Sequence, residues 1–261
     1  MENLILDSKE IMYLCALLGA NEVYGIDDGF AFIPKDRLSQ AVSETADSLM
    51  RKGCLEMDFD GNNTVQSDTS DIIKTIAYSQ SHLILHSLCS DLQDNPCVFY
   101  RNGNRIVKAE FKDNVFEITK ITAEEMKLEI CSRFSESLPQ NSNGFYRVHG
   151  DVFESARDLA SDGKIEEATK LLCKNGIDGQ SAELIVKGYT QKSDFVSAVV
   201  SCTVKGQEST DGMVTLSDEN IALDIAPNLI GEEEYINISV VTLEAQKARL
   251  SDMLIKYGFQ G

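Results

Sequence analysis

Apolar residues near the start of the chain recur at helical spacing. Asp7 and Glu10 stand at capping-box spacing, Ile11, Leu14, Cys15 and Leu18 follow on one stripe, and Gly19 supplies a stop. Pro34 suits the first turn of a second helix, whose stripe is Leu38, Ala41, Val42, Leu49 and Met50 and whose end is Gly53. The period then changes to two. Leu55, Met57 and Phe59 alternate with Glu56, Asp58 and Asp60, and residues 60–63 turn the chain into Thr64 and Val65. Two helices and a short hairpin predict a winged-helix-like N-terminal segment, with the acidic hairpin serving packing rather than phosphate contact. A longer helix is expected over 70–88, burying Ile72, Ile73, Ile76, Ala77, Leu83, Ile84 and Leu88.

The strongest β signal comes next. Segments 97–101, 105–111 and 115–121 are separated by Asn102-Gly103-Asn104 and Lys112-Asp113-Asn114, which predicts a three-stranded antiparallel meander. Thr122 and Glu125 form a second capping box, opening a helix to about residue 135. Residues 138–150 are polar and read as a connection. Three short helices follow over 151–161, 164–174 and 179–190, punctuated by Gly163 and Gly176. Strand patterns return at 195–204, 213–216, 221–225 and 235–241, and a final amphipathic helix carries Leu243, Leu250, Met253, Leu254 and Tyr257 up to Gly258.

Helices, antiparallel strands and a helix therefore occur in that order twice, over roughly 67–137 and 151–258, without a residue-level repeat. The prediction is an α+β fold: an antiparallel sheet with flanking helices in two pseudo-related halves, 1–137 and 151–261, joined by the connection 138–150. Their strands either share one sheet or form two.

Composition adds a strong charge. Twenty-four basic residues against 42 acidic ones give −18, a field that repels phosphate backbones and argues against nucleic-acid binding. It fits either solubility or a partner with a basic surface. The run Glu232-Glu233-Glu234 reads as a solvated loop before Tyr235. Seven cysteines, an odd number without a CxxC pair, sit largely in apolar patterns, as buried thiols do in a reducing compartment. Met1-Glu2-Asn3 carries acid where a signal peptide carries Lys or Arg, and the apolar run 11–20 is shorter than the ~20 residues of a membrane span. The expectation is a cytoplasmic protein without membrane partners.

Candidate chemistry is sparse. On the helix expected over 70–88, His82, His86 and Cys89 share a narrow arc, and histidines at i and i+4 are able to chelate a metal. Leu83 stands where an HExxH motif has its Glu, and the more ordinary reading is solvated histidines. His149 falls in the polar connection. No GxSxG, GxGxxG, GxxxxGK[ST] or DxDxDG pattern occurs, so the sequence predicts no catalytic residue, cofactor or small-molecule substrate.

The layout resembles the EspG-type proteins of type VII (ESX) secretion and their Firmicutes-type relatives. The resemblance rests on the N-terminal helix, on Ala46-Asp47-Ser48-Leu49-Met50-Arg51-Lys52-Gly53-Cys54-Leu55 as a helix ending in a comparable turn, on the meander 97–121 and the later helices, and on strand 235–241 leading into a helix to Tyr257. The Pro- and Trp-rich stretches of that family are missing: this chain has four Pro and no Trp. The resemblance implies a non-catalytic cytosolic chaperone or adaptor that keeps a helical secretion substrate soluble. It also implies contacts from the helical region 151–190 and nearby loops, with Phe145, Tyr146, Leu171, Leu172, Ile185 and Tyr189 as candidates. Leu171, Leu172 and Ile185 at helical spacing fit a core role better, which leaves Phe145 and Tyr146 in the polar connection as the stronger contact candidates. Two other readings stand beside it: an acidic immunity or inhibitor protein that neutralises a basic toxin, and a metal-dependent enzyme built on the His82/His86 face.

Overall fold

The computed structural model describes residues 3–20, 23–88, 96–133, 144–190, 193–204, 207–218 and 220–259. The chain runs β1 (Leu4–Leu6), α1 (Ser8–Leu17), α2 (Lys35–Arg51), β2 (Leu55–Met57), β3 (Asn63–Val65), α3 (Ser67–Ala77), β4 (Ser81–Leu88), β5 (Cys97–Asn102), β6 (Arg105–Lys112), β7 (Val115–Ile121) and α4 (Ala123–Ser132). It continues through β8 (Phe145–His149), α5 (Gly150–Ser161), α6 (Ile165–Lys174), α7 (Gly179–Tyr189), β9 (Asp194–Val204), β10 (Gln207–Ser217), β11 (Ala222–Ile230), β12 (Glu233–Val240) and α8 (Leu243–Lys256).

Apart from the β2–β3 hairpin, which is a sheet of its own, these strands form one ten-stranded sheet. Its order is β1-β7-β6-β5-β4-β9-β10-β11-β12-β8, antiparallel at every step. The order is palindromic. Two four-stranded meanders, β4–β7 and β9–β12, meet at the β4–β9 pairing, and each outer edge carries a short strand, β1 or β8, that opens one half of the chain. Both meanders are preceded by a helix, α3 or α7, and followed by one, α4 or α8. The element order seen twice in the sequence is thus a spatial repeat, and the two sets of strands share one sheet.

Local chemistry explains most of these elements. At α1 the Asp7 carboxylate accepts from Glu10 N–H while Glu10 accepts from Asp7 N–H, both at 2.9 Å, and Thr122 with Glu125 repeats the motif at α4. Asp113 and Asn114 both adopt positive φ (50° and 65°), as a two-residue turn between β6 and β7 requires. The hairpin pairs Leu55 with Val65 and Met57 with Asn63. Two helices and this hairpin follow in the expected order, and α1 and α2 share one core cluster with the hairpin and with strands of the large sheet.

Four expectations change. The helix expected over 70–88 ends at Ala77, and 81–88 is a strand. A spacing of four places two residues on one face of either a helix or a strand, so His82 and His86 did not separate the two. Pairing on both sides decides it, with Leu83 opposite Phe99 on β5 and Val200 on β9. The second difference is β8, which turns the end of the expected connection into an edge strand on β12; residues 138–143 of that connection lie outside the described residues. Third, β10 and β11 run well beyond the expected 213–216 and 221–225 because their neighbours pair with them along the whole length. By the same pairing, Glu233 and Glu234 belong to β12 rather than to a loop. Fourth, the stripe expected on α2 is only half buried. Leu49 is buried, whereas Leu38 and Val42 stay exposed with the first half of that helix.

Three apolar clusters hold the molecule. One face of the sheet centre is sealed by α4 and α8, which bury Leu83, Leu85, Phe99, Val196, Ala198 and Val200 against Met126, Ile130, Leu250 and Leu254. On the opposite face α1–α3 cover β5, β6 and β7, and α5–α7 cover β10, β11, β12 and β8. Among the described residues no helix is long and apolar enough to cross a membrane.

Candidate functional site

The two helix groups on that opposite face cover the outer strands, and among the described residues no helix lies over the middle of the sheet. In register, His82 faces Ser201, Ile84 faces Val199 and His86 faces Ser197. Ile84, His86 and Ser197 are half-buried, and Val199, in the middle of a central strand, is 36% exposed. On β10 the strip continues through Gly212, opposite Val199, and exposed Thr210, whose hydroxyl lies 2.8 Å from that of Ser201. The alternate residues of the same strands, Val196, Ala198 and Val200, are 3%, 0% and 0% exposed on the sealed face. On the other face of β9 Val199 is exposed and Ser197 half-buried, while Ser201 is buried at 6% exposure.

Tyr24 stands at one end of the strip, at the start of a strap of residues 23–33 that leads from there over Val98 of β5 to Lys9 at the start of α1. The Tyr24 ring stacks on His82 with centroids 4.1 Å apart and planes 16° from parallel. The fully buried Tyr100 hydroxyl donates to the Tyr24 carbonyl. Gly25 has φ +71°, and a Cβ there would stand 2.9 Å from Val98 Cγ2, so only glycine lets the strap lie this close. Ile26 is buried, Asp28 accepts from Phe30 N–H at 2.9 Å, and Phe32 is left 98% exposed.

These contacts correct the metal candidate. His82 and His86 lie on a strand rather than on a helical arc. His82 is 7% exposed beneath Tyr24, and Cys89 lies outside the described residues. Burial pushes the His82 pKa below its usual value, opposed by the Glu208 carboxylate, so the ring is held neutral as a stacking partner. Among the described residues no three His, Cys, Asp or Glu side chains are grouped to hold a metal ion.

The other candidates divide by burial. Leu172 and Ile185 are 0% exposed and join α6 and α7 to the sheet, so they are core residues in this structure. Leu171 and Tyr189 are half-buried beside the same cluster, and the Tyr189 hydroxyl donates to Phe153 O at 3.1 Å. Phe145 and Tyr146 are strand neighbours and therefore point to opposite faces of β8. Tyr146 packs on the third cluster and donates to Asp178 at the start of α7 (2.7 Å), which raises its own pKa through that hydrogen bond. Phe145 is 59% exposed with the Arg147 guanidinium 5.7 Å from its ring centroid. A cleft of about 440 Å³ opens between α6 and α7, lined by Ile165, Thr169, Lys170, Glu183, Val186 and Lys187.

The strap and Val199 were not singled out in the sequence. The visible signal was Ser197 and Ser201 within the apolar strand pattern of residues 195–204.

No family model matches the chain, and no curated protein matches its sequence. Its fold does match a solved structure. The Mycobacterium tuberculosis type VII secretion system chaperone EspG5, seen in complex with a PE25–PPE41 dimer, superposes with a TM-score of 0.61 over 95% of this chain and 94% of that one. The fold is EspG-like. At 11% sequence identity the likeness is one of architecture, and it spans both halves of the EspG-like sheet rather than one of them.

Proposed function

We propose that this chain is a non-catalytic chaperone or adaptor of type VII secretion that binds a helical substrate in the cytoplasm. The observation that carries the reading is the fold likeness over nearly the whole of both chains to a chaperone solved with its protein partner. The surface supports it. An uncovered strip of small and apolar residues lies between two helix layers, and apolar side chains at Tyr24, Phe32 and Phe145 stand in solvent. A carrier of net charge −18 stays soluble while such surface waits for a partner. Within this reading residues 1–137 and 151–261 act as two halves of one platform. Phe145, Tyr146, Leu171 and Tyr189 remain candidates for contact, while Leu172 and Ile185 support them from below.

The test is affinity purification of the tagged chain from its native cytosol, with mass spectrometry of what is retained. Recovery of a helical secretion substrate, lost on Val199→Arg but retained on Leu128→Ser, is the expected result. Recovery of a toxin domain whose activity is abolished would replace this reading with the inhibitor one. Retention of no protein at all would overturn it.

A further inference from the structure

The ten-stranded sheet ends at β8, and among the described residues no strand pairs with the outer edge of β8. Val240 N–H donates to Gly144 O at 2.9 Å, which sets the ladder: Gly144, Tyr146 and Val148 turn their backbone groups toward β12. Phe145 and Arg147 therefore turn theirs, one N–H and one C=O each, away from the sheet. An edge of this kind is a template for a further strand. The side chains of Phe145 and Arg147 lie on the face opposite Tyr146 and Val148, away from the cluster beneath α5–α7. Three strands, β10, β11 and β12, stand between this edge and β9, so it is separate from the strip at the sheet centre.

Arg147 indicates what an added strand must carry. Its Nε donates to Asn237 Oδ1 at 2.9 Å, and its guanidinium stands 5.7 Å from the Phe145 ring centroid, so the charged fork is held in place beside the edge. It is exposed and makes no ion pair with a described residue, although the chain carries 42 acidic side chains against 24 basic ones. A fork of this geometry fits a carboxylate. Phe145, 59% exposed, is the apolar neighbour on the same face. A second copy of β8 suits the edge less well, because it brings another guanidinium instead of a carboxylate.

We infer that the outer edge of β8 receives an extended segment of a protein partner, antiparallel like every other pair in the sheet. That segment places an Asp or Glu opposite Arg147 and, two residues further on, an apolar side chain opposite Phe145. Directly opposed side chains share one face at about 5.5 Å, so the carboxylate meets the guanidinium and the apolar group meets the ring. The main chain supplies the hydrogen bonds, and the two side chains supply the choice of sequence. This surface is additional to the chaperone reading and does not depend on it.

The chain has no Trp, so a Trp in a synthetic peptide reports binding without background. The probe is an end-blocked peptide of about seven residues, ~23 Å long when extended, reading Glu-x-Trp at its centre with Thr and Val elsewhere. One counterpart carries Lys in place of Glu. Two others carry an N-methyl group, either on the Glu nitrogen, whose N–H faces β8, or on the next nitrogen, whose N–H faces away. The Glu peptide is expected to bind about tenfold more tightly than the Lys peptide, and to lose several-fold in about 0.5 M salt. Methylation of the Glu nitrogen is expected to cost at least about fivefold, and methylation of the next nitrogen to cost nothing. Arg147→Gln is expected to erase the preference for Glu over Lys and Arg147→Lys to keep part of it, while Leu128→Ser, exposed on α4, changes nothing. Circular dichroism confirms that each variant is folded. No binding of the Glu peptide, equal binding of the Glu and Lys peptides, or equal losses from the two methylations would overturn the inference. Self-association of the chain that Phe145→Asp abolishes also overturns it, by putting a second copy on this edge. Each of these results leaves the chaperone reading standing; that reading falls only on the purification from cytosol.

Discussion

Gly25→Ala separates the strap from the rest of the fold. Two costs fall on one residue. A non-glycine residue at φ +71° costs ~1–2 kcal/mol. Its Cβ, 2.9 Å from Val98 Cγ2, adds overpacking of ~1–3 kcal/mol in a place where the neighbour is itself 4% exposed. The insult is thus ~2–5 kcal/mol. Against it stand the contacts that hold the strap. Burying Ile26 contributes ~2 kcal/mol, the Tyr100–Tyr24 hydrogen bond ~1 kcal/mol, and the Tyr24–His82 stack ~1 kcal/mol. The two sums are of equal size, and both lie below the ~5–15 kcal/mol that holds an entire fold. The strap is therefore expected to open locally while the sheet stays formed. Hydrogen–deuterium exchange should show amides of residues 23–33 exchanging at least about tenfold faster, with β4, β5 and β9 still protected. The double variant Gly25→Ala/Val98→Ala should recover the steric share but not the dihedral share, so the coupling in urea unfolding should be ~1–3 kcal/mol. Unchanged exchange in the strap, or purely additive variants, would refute the claim that Gly25 lets the strap press on Val98.

Three further outcomes follow from the same contacts. The His82 pKa is depressed in the folded protein, so folding at that site disfavours the proton. The stability it confers is present above the unfolded value of about 6.5 and is lost as pH falls from there toward the folded value. The urea midpoint should fall between about pH 7.5 and 5.5, and His82→Gln should flatten that fall, with Glu208 as the charged group acting on the ring. Glu10 accepts from Asp7 N–H, Ser48 (2.7 Å) and Lys52 (2.6 Å) while 3% exposed. Burial raises its pKa, but those bonds together outweigh burial and lower it. Glu10→Ala should cost ~2–4 kcal/mol by leaving the cap and Ser48 unpaired, with Glu10→Gln costing less, as read by thermal unfolding. Leu172→Ala should cost ~2–5 kcal/mol as a core truncation, whereas Phe145→Ser should fall within ~0.5 kcal/mol; the reverse order would show the two residues in each other's roles.

The chain's own pattern was enough to specify everything set by neighbours in sequence. Both capping boxes, the β2–β3 hairpin, the β5–β7 meander, the three helices of the second half and the last helix are carried by side chains within a few residues of one another. They appear where the spacing put them. The repeated element order was also visible, because periodicity survives when residue identity does not. Charge was legible as a property of the whole chain.

Tertiary structure decided what depends on who stands next to whom. Residues 81–88 satisfy a helical and an extended period alike, and only pairing with β5 and β9 on both sides makes them a strand. That one choice joined the two halves into a single sheet and moved His82 from an exposed arc to a place beneath Tyr24. β8 is too short to show a period, and exists because β12 offers an edge. The sequence could not say which apolar residues remain uncovered. Leu38 and Leu49 lie on the same helical stripe, yet one stays in solvent and the other is sealed, because burial is a property of the partner surface and not of the residue. The exposure of Val199 follows from the same fact: two helix groups are each anchored on their own half of the sheet, and no helix among the described residues lies between them.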